Sequence, residues 1–201
     1  VPDEFKKDWM VDAQAGTVAF GSAYHNWATS LPFMAKKNVN FKQIYEFMEK
    51  EQKKELAQAA PLHEVLLDMI VEKLPSADTA QKYRIPHIWR GEAEEEIGQS
   101  MVNANADGDS AFMVTKVVLD PHAGEIAVGR LFSGSIKKGD QMYVAGMPNA
   151  NRVQSVGMFV GGDRIATETV TAGNIIAVSG LRDAQSGSTI SSNKEMTPFE
   201  R

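Results

Sequence analysis

The hydrophobic residues of this chain change their spacing near residue 110, and the change predicts two kinds of structure. Before that point, apolar residues recur every three or four positions. Asn40 and Gln43 have the spacing of a helix capping box. Phe41, Ile44 and Met48 then follow on one helical face. The sequence therefore predicts a helix that begins after Asn40.

A second helix is predicted at residues 62–74, between Pro61 and Pro75. Its apolar stripe consists of Leu62, Val65, Leu66, Met69, Ile70 and Leu74. A short buried strand is predicted at residues 17–20, and it ends in a small Gly-Ser-Ala corner. Because one strand cannot bury such a stripe, we expect this half to be the end of a larger α/β domain whose sheet precedes Val1.

From Ala111 onward, apolar residues alternate with polar ones, which predicts short strands. The runs are Ala111 to Leu119, Glu125 to Ser133, Gln141 to Ala145, Arg152 to Phe159, and Asn174 to Ser179. Closely spaced strands without helices between them predict a small closed antiparallel β-barrel, since closure removes exposed strand edges. Its expected core is Phe112, Val114, Val117, Ile126, Val128, Leu131, Ile136, Val153, Val156, Ile175, Ala177 and Leu181.

Glycine usage divides the chain in the same region, because only two of the 16 glycines precede residue 91. Prolines, acidic residues and few apolar positions predict an extended connector, anchored near its middle by Ile85, Ile88 and Trp89. The predicted fold class is therefore α+β in two parts. The predicted divisions are residues 1–75, then a connector with the first barrel segment at 76–110, then the barrel at 111–201.

Composition excludes several classes of function. The 201 residues include no cysteine, which rules out disulfides and thiolate metal sites. A net charge of −5 argues against unspecific nucleic-acid binding. No apolar run approaches the roughly 18 residues of a membrane helix, and the first residues lack signal-peptide features. We expect a cytoplasmic monomer with no membrane partner, and the start at Val1 rather than methionine predicts a segment of a longer protein.

Three short motifs resemble functional sites but are incomplete. Residues 129–134 have the glycine spacing of a phosphate-binding loop, without its Lys and Ser or Thr. Residues 63–67 begin like a zinc-protease helix, but the second histidine is replaced by Leu67. Residues 193–196 begin like a guanine-binding Asn-Lys-x-Asp motif and lack the Asp. The four histidines show no metal-ligand spacing. The sequence predicts no catalytic residue and no metal ligand in this chain.

Several long blocks nevertheless resemble one family. They are GSAYHNWA, APLHEVLLDMIVEKLPS, AQKYRIPHIWRG, DGDSAFMVTKVVLDPHAGEIAVGRLFSGSIKKGD and AGNIIAVSGLRDAQSGSTIS. Together they resemble the elongation factor 2 family of archaea and eukaryotes, the counterpart of bacterial elongation factor G. The resemblance extends over essentially the whole chain. The barrel block alone would also suit other translational GTPases.

The resemblance implies a longer ribosome-dependent GTPase that promotes the movement of tRNA and mRNA. Residues 1–75 would be the C-terminal remnant of its α/β P-loop GTPase domain, and residues 111–201 its β-barrel second domain. Ser22 and Ala23 would match the last nucleotide-binding motif and contact guanine. GTP or GDP with Mg would bind the longer protein. This chain lacks the phosphate-handling motifs, so we expect it to bind no nucleotide and to hydrolyse no GTP by itself.

The resemblance also implies that the barrel contacts the rest of the GTP-binding domain and ribosomal RNA in the body of the small subunit. Arg130, Lys137, Lys138 and Arg152 lie in or near the glycine-rich hairpin at 129–140, and we expect them to face RNA phosphates. Two alternatives remain open. The longer protein could be a release-factor or ribosome-biogenesis GTPase. The barrel could instead be a free-standing module that binds nucleic acid or another ligand, which exposed stacking aromatics would favour.

Overall fold

The computed structural model describes residues 10–92 and 94–200 and divides the chain into two compact units, Val1–Leu74 and Pro75–Arg201. We call them the N-terminal unit and the C-terminal unit. The N-terminal unit contains β1 (Phe20–Ser22), β2 (Trp27–Thr29), α1 (Leu31–Lys37), α2 (Phe41–Glu49), α3 (Lys53–Ala59) and α4 (Leu62–Lys73). β1 and β2 form an antiparallel hairpin. The strand predicted at 17–20 therefore begins later and pairs locally.

Side-chain capping fixes the starts of α1 and α2 in the N-terminal unit. The predicted capping box of α2 is confirmed: Gln43 N donates to Asn40 Oδ1 and Asn40 N donates to Gln43 Oε1, both at 2.9 Å. At α1, Ser30 Oγ accepts from Phe33 N at 3.3 Å. The unit's small core consists of Ala28, Phe33, Ile44, Leu56, Ala60 and Val65.

Helix α4 confirms the helix predicted at 62–74, but its apolar stripe is only partly covered. Val65 is buried, and Leu62 and Met69 pack against the core. The side chains that stay exposed are Leu66, Leu67, Ile70, Val71 and Leu74. The described part of the N-terminal unit therefore leaves one apolar face of α4 facing solvent.

The C-terminal unit begins with two helices, α5 (Ala77–Ile88) and α6 (Glu96–Val102). Ten strands follow: β3 (Ala111–Asp120), β4 (Gly124–Ser133), β5 (Ser135–Lys137), β6 (Gln141–Val144), β7 (Ala150–Arg152), β8 (Ser155–Val160), β9 (Asp163–Thr167), β10 (Thr169–Thr171), β11 (Ile175–Ser179) and β12 (Thr189–Ser191). The short strands predicted from Ala111 onward are thus present. The region 76–110, expected to be extended, is helical over most of its length.

The helical connector is held by packing and by one buried amide. Gln81 is buried, and its Nε2 donates to Phe132 O of β4 at 2.9 Å and also to Met101 O of α6. Ile85 and Trp89 are buried as expected, in a cluster with Met101, Ala111, Phe132, Met196 and Phe199. Burial of this face stabilises α5 despite Pro86 near its end, which is why the extended conformation expected from the prolines does not form.

The strands of the C-terminal unit do not form the expected closed barrel. Eight of them form one antiparallel sheet in the order β7-β6-β12-β3-β4-β11-β8-β9, with β7 and β9 at its two edges, and β5 pairs separately with β10. Gly134, at φ +74°, turns the chain sharply after β4 beside the Ser110 backbone, so β5 leaves the sheet. Ile136 of β5 and Val170 of β10 then complete the core without hydrogen-bonded closure.

The main core lies on one face of this sheet and contains most of the predicted residues, including Phe112, Val114, Leu131, Ile136, Val153, Val156 and Leu181. Val117 packs against it. Ile126, Val128 and Ala177 are also buried, but on the opposite face, in a second cluster. Ile175 was wrongly assigned to the core: it is 60% exposed, and its neighbour Ile176 is buried instead.

The last residues of the described chain return to α5. The indole Nε1 of Trp89 donates to Thr197 O at 2.7 Å, and Glu200 N donates to Ile88 O at 2.8 Å. Arg90 and Glu200 form an ion pair. Phe199 pairs with Trp89 and packs against Phe132, with ring centroids 5.0 Å apart. No helix within residues 10–92 and 94–200 is long and apolar enough to span a membrane.

Candidate functional site

The predicted guanine contacts, Ser22 and Ala23, lie where β1 turns into β2. Ser22 is the last residue of β1 and pairs with Trp27. Within the turn, Asn26 N donates to Ala23 O at 3.2 Å, and Asn26 itself has φ +55°. His25 N donates to Ser22 Oγ at 3.3 Å. These bonds define a tight four-residue turn at residues 23–26.

The turn needs glycine immediately before it. A Cβ on Gly21 would lie 2.4 Å from Trp27 O and 2.7 Å from Ala28 Cα, so no larger residue fits against β2. β2 and the turn before it are in turn held by the start of α4 and the residue two positions ahead of it: Ala28 N donates to Ala60 O at 3.0 Å, and Leu62 N donates to Asn26 O at 3.1 Å. The Gly-Ser-Ala corner is therefore supported from the α4 side.

Ser22 and Ala23 retain unused hydrogen-bonding groups. Ala23 is exposed, and no described residue accepts a hydrogen bond from its backbone N–H. The Ser22 hydroxyl accepts one bond, and its own hydrogen remains free to be donated. Tyr24 is 89% exposed, and its ring meets that of His25 edge-on at 4.8 Å between centroids. The turn thus presents two donors and an aromatic ring to solvent.

Three of the predicted phosphate-facing cations lie around Gly139. Asp140 N donates to Lys137 O at 3.3 Å, and Gly139 has φ +97°, as a type II turn requires. The Asp140 carboxylate accepts from Lys137 N at 2.9 Å. A Cβ on Gly139 would lie 3.9 Å from an Arg152 guanidinium nitrogen, which brings Arg152 to the same turn. We call Lys137, Lys138 and Arg152 the turn cations; all three are exposed.

Arg130, the fourth predicted cation, has different neighbours. It lies on β4 between Met113 of β3 and Ile175 of β11, and it is half-buried. Burial, and then repulsion from the nearby Arg84 of α5, lowers the pKa of Arg130. Sequence reasoning missed Arg84, because its approach to Arg130 depends on how α5 packs on the sheet. Nothing in the local sequence around Arg84 signals this proximity.

The remaining perturbed groups have local structural causes. A hydrogen bond to Asp68, together with its charge, raises the pKa of Lys36, and the two side chains are 2.8 Å apart. Backbone N–H groups of Ala123 and His122 donate to Asp120 at 2.8 Å and lower the pKa of that carboxyl. The described part of the chain contains no cluster of His, Asp or Glu side chains that could hold a metal ion. These groups therefore do not indicate catalysis.

Comparison with known proteins shows which sequences the chain resembles. Residues 124–191, from β4 to β12, match the family described as Elongation factor Tu domain 2. Proteins named elongation factor 2 from Methanosarcina thermophila, Picrophilus torridus and Thermoplasma volcanium are each 53% identical to the chain over 199 residues, or 99% of its length. The chain spans 27% of the length of these curated relatives. Identity at this level over nearly every residue, in both units, shows that the chain belongs to the elongation factor 2 family.

Proposed function

We propose that this chain acts as part of a longer, ribosome-dependent GTPase that promotes the movement of tRNA and mRNA. In this proposal, residues 1–75 are the end of its P-loop GTP-binding domain and residues 111–201 its second domain. The observation that carries the proposal is the exposed Ala23 N–H on a preorganised turn, in a chain that is 53% identical to several elongation factors 2.

The turn at Ser22 and Ala23 has the chemistry needed to contact guanine. The free Ala23 N–H can donate to the O6 acceptor of the base, and the small methyl side chain allows the ring edge to approach the backbone. The Ser22 hydroxyl can donate a second bond. Gly21 and Asn26 set the backbone conformation before the ligand arrives, so little ordering would be needed on binding.

The exposed apolar face of α4 supports a partner for the N-terminal unit. Leu66, Ile70 and Val71 are all more than two fifths exposed. Exposed large apolar side chains on one helix face usually mark a covered interface. The rest of the GTP-binding domain is the partner that we propose, and GTP or GDP with Mg would bind that complete domain. The chain alone should neither bind nucleotide nor hydrolyse it.

The turn cations support an RNA-binding role for the C-terminal unit. Lys137, Lys138 and Arg152 form no ion pair with any described carboxylate, although the chain as a whole is acidic. A rigid turn that projects unpaired cations can bind phosphates without reading base sequence. We propose that the turn cations and Arg130 contact ribosomal RNA in the body of the small subunit, in the cytoplasm and as a monomer.

A chimera tests the guanine contact. This chain would replace the matching stretch of the Methanosarcina thermophila elongation factor 2, and GDP affinity would be measured by calorimetry. Ala23→Pro removes the N–H and should weaken GDP binding about 3- to 10-fold, the value of one lost hydrogen bond. Glycine can also adopt the left-handed conformation of Asn26, so Asn26→Gly should leave the affinity for GDP unchanged. Equal affinity of the Ala23→Pro and unsubstituted chimeras would rule the contact out.

A further inference from the structure

The C-terminal unit has an open groove on the face of its sheet opposite the main core. The groove has a volume of about 590 Å³, and its lining includes Val118 and Val128 of the second cluster, Phe159, Ile175 and the Gly161-Gly162 turn. A volume between about 300 and 1,000 Å³ with a mostly apolar lining is typical of small-molecule sites. The groove therefore has the size of a ligand site and an apolar surface on which a flat molecule can lie.

Two residues of the groove leave apolar surface in water. Ile175 is 60% exposed and Phe159 is 39% exposed, although both lie on strands. Covering such surface is favourable by about 25 cal/mol per Å². The glycines at 161 and 162 have no atom within 4 Å of the position of a Cβ, so that rim of the groove is open to an entering ligand.

Arg130 lies beside the residues that line the groove, and the charge of Arg84 acts on it. Arg130 lies two residues from Val128 on the same face of β4, and it is directly opposite Ile175 of β11. The bond from Gln81 to Phe132 O, at 2.9 Å, fixes α5 across the end of β4. Arg84 lies about one helical turn after Gln81, near enough for its charge to act on Arg130. The two positive charges therefore come from separate elements.

The charge around the groove is unbalanced. Its lining residues include Lys116 but no carboxylate. Among residues 10–92 and 94–200, neither Arg84, Arg130 nor Lys116 forms an ion pair. The charges of Arg84 and Arg130 repel each other, and burial of Arg130 increases the cost. An oxyanion held between two planar guanidinium forks would remove the repulsion and satisfy their donors.

We propose that this groove binds a small amphipathic oxyanion. The apolar body of the ligand lies on Val128, Phe159 and Ile175, and its carboxylate, sulfonate or phosphate group is held by Arg84 and Arg130. This gives Arg130 a second role in addition to the RNA contact proposed above. The site shares no residue with the turn cations or with the Ser22-Ala23 turn, so it can be tested without ribosomes or nucleotide.

Residue-resolved NMR of the nitrogen-15-labelled 201-residue chain is the first test, with 2-naphthalenesulfonate as the probe. Saturable shifts are expected at the amides of Val128, Phe159 and Ile175 and at the side-chain signals of Arg84 and Arg130. Inorganic sulfate should shift only the arginine signals, and 2-naphthalenemethanol, which has the ring but no charge, should bind more weakly. Absence of saturable shifts at millimolar probe, or shifts confined to α4, would overturn the proposal.

Matched variants are the second test. Arg84→Gln changes an exposed side chain and should raise the Kd for the sulfonate about tenfold, because a charge-assisted hydrogen bond is lost. Phe159→Ala should weaken binding of the sulfonate several-fold and leave sulfate binding unchanged. Arg152→Gln and Ile165→Ala, which remove a cation and an exposed apolar residue elsewhere, should have no effect. Equal weakening by Arg84→Gln and Arg152→Gln would show that only general charge matters and would refute the site.

Discussion

Replacement of Gln81 by leucine should destabilise the C-terminal unit while leaving the N-terminal unit unchanged. The Gln81 side chain is 1% exposed, and its Nε2 donates to the carbonyl oxygens of Met101 and Phe132. Leucine has a similar size but no donor, so Phe132 O loses this bond, while Met101 O keeps its backbone bond from Ala104 N at 3.2 Å. The loss at Phe132 O costs about 1–3 kcal/mol, and the loss at Met101 O costs about 1 kcal/mol. The substitution therefore acts at the point where α5, α6 and β4 meet.

The net magnitude is smaller than the sum of these two losses. Gln81 Oε1 is itself buried without a hydrogen-bond partner among the described residues, and leucine removes that unsatisfied acceptor. Its removal offsets about 1–3 kcal/mol of the cost. We therefore expect the free energy of unfolding of the C-terminal unit to fall by about 1–2 kcal/mol. Gln81→Glu should cost more near neutral pH, since a carboxylate would face two carbonyl oxygens in a buried site.

Urea denaturation followed by fluorine-19 NMR can test this prediction. The chain has three tryptophans, and 5-fluorotryptophan gives each a separate signal, so Trp89 reports on the C-terminal unit and Trp27 on the N-terminal unit. Gln141→Leu, at an exposed site on β6, is the matched control and should change stability by less than about 0.5 kcal/mol. If Gln81→Leu behaved like Gln141→Leu, the buried amide would not hold the connector, and the reasoning would be refuted.

Three further predictions follow from the same structure. Changing both Lys137 and Lys138 to Gln should weaken binding to small ribosomal subunits and reduce the slope of log K against log salt by about 1–2, whereas an unchanged slope in sedimentation assays would place the RNA contact elsewhere. Gly139→Ala should lower the free energy of unfolding in urea by about 1–2 kcal/mol, because φ is +97° there and only backbone strain opposes the methyl group. Gly162→Ala should leave the free energy of unfolding nearly unchanged, because that site has open space and no positive φ. Because the folded-state pKa of Asp120 is lowered, its stabilising effect is present above the ordinary aspartate pKa and is lost as the pH falls through the folded value. Asp120→Asn should remove that part of the acid sensitivity, and an identical pH dependence of Tm in the variant would contradict this assignment.

The sequence predicts the features that depend on local spacing. The capping box at Asn40 and Gln43 and the apolar stripe of α4 are local signals, and both helices form as expected. The long strands β3 and β4 likewise show clear alternation. Strands β5, β10 and β12 have only three residues each, too few to show a period of two, and the sequence did not predict them.

The errors occur where tertiary packing decides the outcome. Ile175 and Ile176 belong to a continuous apolar run, so alternation could not identify the inward-facing residue; the pairing of β11 with β4 decides it. Helix α5 buries Gln81 rather than a simple apolar stripe, and Pro86 argues against a helix when only the sequence is read. The neighbours of Arg130 depend on that helix. Hence the sequence predicted the turn cations as a group but could not separate Arg130 from them.

The return of the last described residues to α5 has a mechanical consequence. Any pull on Glu200 is carried first by its ion pair with Arg90 and its backbone bond to Ile88, and next by the Trp89 indole and Phe199. These contacts bypass the edge strands β7 and β9. These contacts hold the end of the described chain against α5. Tension on that end is therefore transmitted to the first helix of the unit before it can separate strands from the sheet.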